Sequence, residues 1–134
     1  MENELSTWNN YPVYGNAAEL DVIADSDDVM NIDRSDIIGV LSAGYTNRIA
    51  VGTGATFGEA LDAAVNALPY PISKPKKLII SIQDRDKQLK MNEFSKITEA
   101  LSDTDPDLDV VWGVTTVQLP DAPFKVVLLA AAEE

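Results

Sequence analysis

Residues 77–82 read KLIISI. Apolar side chains at consecutive positions mark a strand of the buried type, not one with a solvated face. A second run of this kind, FKVVLLA, occupies residues 124–130. The longest apolar run, residues 126–132, falls far short of the roughly 20 residues that span a bilayer as a helix. Strands that are apolar throughout need a sheet covered by helices, and helical patterns stand between them.

Ser35 is placed to cap a short helix running to Leu41, with Asp36 in its first turn. Residues 48–51 (RIAV) form a strand pattern, and the glycine-rich stretch GTGATFG follows at 52–58. Thr56 can cap the next helix, and Glu59, three residues on, completes a capping box. Phe57, Leu61, Ala64, Val65 and Leu68 recur on one face of that helix, which stops at Pro69. A proline-rich link leads to KLIISI. Asn92 can cap a third helix with Phe94, Ile97, Ala100 and Leu101 on one face, and residues 103–107 form a turn cluster. Strand patterns then occupy residues 110–117 and 124–130. The short proline-containing link between these two predicts that they pair antiparallel. The fold class is α/β (α+β): a mixed sheet of about four strands packed against helices. The organisation is an acidic N-terminal extension over residues 1–29 and a domain over 30–134. Trp8, Tyr11, Val13 and Tyr14 in the extension either dock as an arm or stay loose.

Composition removes whole classes of function. The chain has 134 residues, 46% of them hydrophobic, which suits one folded domain. With no cysteine there is no disulfide, thiolate nucleophile or sulfur-ligated metal, and with no histidine the usual general base is absent. A net charge of −12 opposes nucleic acid and anionic membranes. The opening MENELSTW has neither the basic nor the apolar region of a signal peptide, so a cytoplasmic location is expected.

GTGATFG invites a phosphate-loop reading. A Walker-type loop needs Lys after its last glycine, whereas Glu59 follows Gly58 and would oppose a phosphate. The dinucleotide spacing also fails, because the third glycine comes one residue late. A tight structural turn, with positive φ and close helix–strand packing, is the better reading. Asp103, Asp105, Asp107 and Asp109 alternate as in a calcium loop, yet Leu108 and Val114 stand where that loop needs Gly and Glu, so no metal is expected. SKPKK (73–77) reads as a solvated lead-in to a strand, and Trp112 as core or interface. In NIDRSD, Asn31, Asp33 and Asp36 form either a capping and turn cluster or a group able to orient a water or a hard cation.

The motifs taken in order resemble the FtsZ/tubulin family. VMNIDRSDIIGVL looks like the segment joining the two halves of FtsZ, whose motif is Asn-x-Asp-x-x-Asp before a core helix. GTGATFG is similar to the glycine turn that ends the next strand, and EALDAAVNALPYPI to the helix and proline motif after it. KLIISIQDRDKQLKMNEFSKITEAL and VVWGVTTVQLPDAPFKVVLLAAAEE resemble the remaining strands and helix of the C-terminal domain, with the aromatic–glycine pair Trp112-Gly113 included. The resemblance spans about residues 29–134.

It implies a C-terminal domain standing alone, with residues 1–29 in place of the domain that holds GTP; the chain is either a natural short protein, the favoured reading, or a fragment of a longer one. No cofactor is then expected, and no enzymatic activity of its own. By resemblance, Asn31, Asp33 and Asp36 match the loop that reaches a neighbouring subunit's nucleotide and promotes its hydrolysis. Arg34 and Ser35 depart from the apolar and small residues usual there, and Arg34 is placed to pair with a neighbouring Asp. The implied function is protein interaction, with an FtsZ/tubulin-like GTPase as partner, in filament assembly or cell division. The alternatives are a self-associating scaffold and, least favoured, a carboxylate hydrolase using Asp33 and Asp36.

Overall fold

The run FKVVLLAAA has apolar side chains on both of its faces, so it needs cover on both faces and a strand on either side. It has all of these in the computed structural model, which describes residues 5–24, 32–72, 74–84, 95–100, 108–115 and 122–133. In chain order the elements are β1 (Leu5–Trp8), β2 (Tyr11–Tyr14), α1 (Ala18–Ala24), α2 (Arg34–Leu41), β3 (Thr46–Gly54), α3 (Phe57–Ala67), β4 (Lys77–Asp84), α4 (Ser95–Ala100), β5 (Asp109–Thr115) and β6 (Phe124–Ala132). They build one mixed sheet in the order β1-β2-β3-β6-β4-β5.

Strand β6 runs antiparallel to both β3 and β4, with Gly52 opposite Val126 and Ile80 opposite Leu128. Strands β4 and β5 are parallel neighbours. The expected pairing of the last two strands therefore does not occur: β6 lies between β3 and β4, and β5 takes an edge. The reason is burial. Residues 126–132 are almost wholly inaccessible, and an edge position would leave so apolar a strand half uncovered.

The two faces carry separate cores. Val126, Leu128 and Ala130 of β6 pack with Leu78, Ile80 and Ile82 of β4, beneath Phe57, Ala60, Leu61 and Ala64 of α3 and Ile97 of α4. The alternate residues Val127, Leu129 and Ala131 pack with Ile79 and Ile49, beneath Leu20 and Ile23 of α1 and Ile37, Val40 and Leu41 of α2. This period of two is what a sheet covered on both faces demands.

The four strands expected from the sequence are β3 to β6, and residues 5–14 add two more. β1 and β2 form a hairpin closed by Asn9 and Asn10, with φ of 50° and 70°. Both asparagines take the left-handed conformation that a two-residue hairpin loop requires. β2 then lies parallel to β3, with Tyr14 opposite Arg48. Trp8 and Val13 are buried with α1 and α2 in the second core. Residues 5–24 thus share sheet and core with the rest of the chain, and the boundary expected near residue 29 falls in 25–31, outside the described residues.

Candidate functional site

The glycine stretch is built by packing. Gly52 and Gly54 lie in the last three residues of β3, and Thr56 caps α3 by accepting the Glu59 N–H on its hydroxyl at 3.2 Å. A Cβ on Gly52 would stand 2.2 Å from the Ala64 nitrogen and 2.3 Å from the Ala60 oxygen. One on Gly54 would stand 2.7 Å from the Glu59 Cβ. Neither glycine has the positive φ expected of the turn; the left-handed glycines among those described are Gly15 and Gly44. Glycine is needed at 52 and 54 because the helix backbone lies directly on the strand. The Glu59 carboxylate accepts the Ala55 N–H at 3.0 Å, so the chain supplies its own anion where a phosphate would have to sit.

The acidic cluster is also a helix start. Asp33, not Ser35, is the N-cap of α2, with extended φ and ψ of −76° and 154°. The cap lies two residues earlier than expected because the helix already begins at Arg34. The Asp36 carboxylate reaches back and accepts the Asp33 N–H at 3.1 Å. Asp33 is exposed and Asp36 half-buried, while Ile32 and Ile37 fix the segment to the core. Asp33 and Asp36 are thus brought together at the surface. Asn31 lies outside the described residues.

Arg34 does not behave as its neighbours suggest. Its guanidinium lies over the Trp8 ring, 4.8 Å from the centroid. No ion pair among the described residues joins it to Asp33 or Asp36. Trp8 is itself buried, and its indole N–H donates to the Asp21 carboxylate at 2.8 Å. Residue-by-residue reading missed Trp8 and Asp21 as neighbours of this site. The available signal was the cluster of aromatics in a short acidic stretch, which shows only that something docks and not where.

Asp109 pairs with Lys77 at 3.0 Å on the surface, and Asp103, Asp105 and Asp107 lie outside the described residues. Lys74 lies over the Tyr70 ring. Trp112 is 37% exposed on the edge strand β5. Among the described residues no three His, Cys, Asp or Glu side chains come together as a metal site, and no helix is long and apolar enough to cross a membrane.

The sequence and the fold have counterparts among known proteins. Cell division protein FtsZ 1 of Thermococcus kodakarensis is 34% identical over 92 residues, which are 64% of this chain and 24% of that protein. FtsZ 1 of Pyrococcus abyssi is 33% identical over the same length. The chain is homologous to a segment of FtsZ. It spans about a quarter of the length of the FtsZ proteins it matches, and its likeness is to the C-terminal domain of the FtsZ/tubulin family. No protein-family model matches the sequence. In fold it is similar to an empty FtsZ dimer from M. jannaschii, with a TM-score of 0.68 and 22% identity over 84% of this chain and 34% of that one. CetZ from Methanosaeta thermophila gives 0.67 at 17% identity, covering 87% and 35% of the two chains. The GTPγS-form protofilament of Bacillus thuringiensis TubZ gives 0.66 at 16% identity, covering 86% and 33%.

Proposed function

We propose that this FtsZ-like domain is a cytoplasmic protein-interaction module of FtsZ-type filaments, active in their assembly or in cell division. It has no nucleotide site of its own. It offers its acidic helix start, Asn31, Asp33 and Asp36, to the nucleotide held by a partner GTPase. There the carboxylates orient a water against the terminal phosphate, a role that needs position more than covalent chemistry.

The observation that supports this reading is the homology to FtsZ together with a helix start at which the Asp36 carboxylate accepts the N–H of the exposed Asp33. The occupied N-terminus of α3 supports the absence of a separate anion site there. Co-sedimentation with polymerising FtsZ from the same organism tests it. The chain is expected in the polymer pellet when GTP is present; a chain left in the supernatant at equimolar amounts rejects the reading.

A self-associating scaffold is the second reading. Leu5, 59% exposed, and Trp112 lie on β1 and β5, the two edge strands of the sheet. Edge strands with exposed apolar residues are places where copies can add to one another. Analytical ultracentrifugation of the chain alone separates the two readings, since a scaffold assembles without any GTPase.

A further inference from the structure

We infer that Trp8 is a positioning residue for the acidic helix start: it holds Arg34 on its ring face and so keeps that cation from neutralising Asp33 and Asp36. The inference rests on the reading of that loop given above.

Arg34 occupies the first position of α2. A cation at the positive end of a helix is poorly placed. Beside it stand the N-cap Asp33 and, two residues on, Asp36, and a guanidinium fork readily pairs with a carboxylate. The side chain nevertheless lies across the Trp8 indole. What distinguishes that ring is how firmly it is held. Trp8 is buried, and Asp21 of α1 accepts its N–H at 2.8 Å. A carboxylate on the indole N–H fixes the ring plane and makes its face more negative, which strengthens its attraction for a cation.

The arm that carries Trp8 and Asp21 is anchored independently. Leu20 and Ile23 of α1 are buried in the second core. Glu19 pairs with Lys125 of β6 at 2.8 Å, where both side chains are largely covered. Asn47 of β3 donates to the carbonyls of Pro12 and Leu41, both at 3.2 Å, and so ties β2 to the end of α2. The ring is therefore a rigid platform, and it competes for the exposed Arg34 with an ion pair to Asp33 that water weakens but does not abolish. The cation stays on the ring, and among the described residues neither carboxylate is paired with it.

The test uses the full chain with Trp8→Leu, Arg34→Gln and the double variant, each first shown to melt cooperatively. By NMR, the Arg34 side-chain protons of the wild type are expected upfield from the indole ring current. The carboxyl carbons of Asp33 and Asp36 are expected to shift in Trp8→Leu and to return in Trp8→Leu with Arg34→Gln. Unshifted Arg34 protons, or carboxyl carbons that ignore Trp8→Leu, overturn the inference whatever a partner does. With FtsZ from the same organism and GTP, Trp8→Leu is expected to weaken the chain's effect on turnover by about threefold or more, and adding Arg34→Gln to restore it. A structural role alone would leave the double variant as impaired as the single one, which also overturns the inference. If the wild type leaves turnover unchanged, the loop reading falls and the positioning role with it, even when the ring-current shifts are as expected.

Discussion

Helices α2 and α3 begin in the same way. Each has a side chain at the N-cap, Asp33 or Thr56, and an acidic residue three positions on, Asp36 or Glu59. In each, that carboxylate accepts a backbone N–H upstream, at 3.1 Å and 3.0 Å. The surroundings differ. The start of α3 lies on β3 so closely that two glycines are required, and each of its capping residues has a local job. The start of α2 is open to solvent and carries Arg34, which capping does not call for and helix electrostatics disfavours. Where local needs account for every residue, a motif is structure. Where a residue works against them, as Arg34 does, another demand is acting.

The largest effect that would break this comparison is at Gly52. Gly52→Val puts a branched side chain into the backbone of α3, at a cost of about 3 kcal/mol or more. A melting point lowered by about 10 °C or more is expected, and an unchanged melt would mean that the turn does not need glycine. On the α2 side, Leu20→Ala removes a fully buried side chain of the arm. Its expected cost is about 2–4 kcal/mol by chemical denaturation; a cost within error would detach the arm from the fold. Thr56→Ala deletes the cap of α3 and should lower stability by about 1 kcal/mol, measured in the same way. The smallest expected signal is in calorimetry: with GTP and magnesium the chain alone should give no micromolar binding, and saturable heat would reopen the glycine stretch as a nucleotide site.

How far the sequence could be read follows the range of the forces involved. The Thr56 cap of α3, the apolar runs of β4 and β6 and the helix between Thr56 and Pro69 are encoded by neighbours, and each stands where expected; the other half of the expected capping box does not, because Glu59 closes on the Ala55 N–H and not on that of Thr56. The position of β6 is not local. Adjacent strands joined by a short link suggest a hairpin, but the apolar run of residues 126–132 competes for the middle of the sheet and wins it. Pro12 and the acidic residues around α1 hid the hairpin and first helix, since proline demotes a strand and no apolar stripe is long enough in AELDVIA to stand out. Asn9-Asn10 and Asn16, whose side chain accepts the Ala18 N–H at 3.1 Å, were the readable signals there. Asp33 and Asp36 could be named from the motif. That Arg34 would turn to Trp8, 26 positions earlier in the chain, depends on the arm's tertiary position and could not.

The central claim is that the acidic helix start, besides capping α2, acts on a partner's nucleotide. GTP turnover by FtsZ from the same organism, measured with the wild-type chain and with Asp33→Asn plus Asp36→Asn, tests it most directly. The asparagines keep the capping geometry and remove the charges, so the melt should change by less than about 1 kcal/mol. The wild type is expected to alter turnover at equimolar amounts and the double variant to lose most of that effect. Equal turnover with wild type and variant would contradict the account.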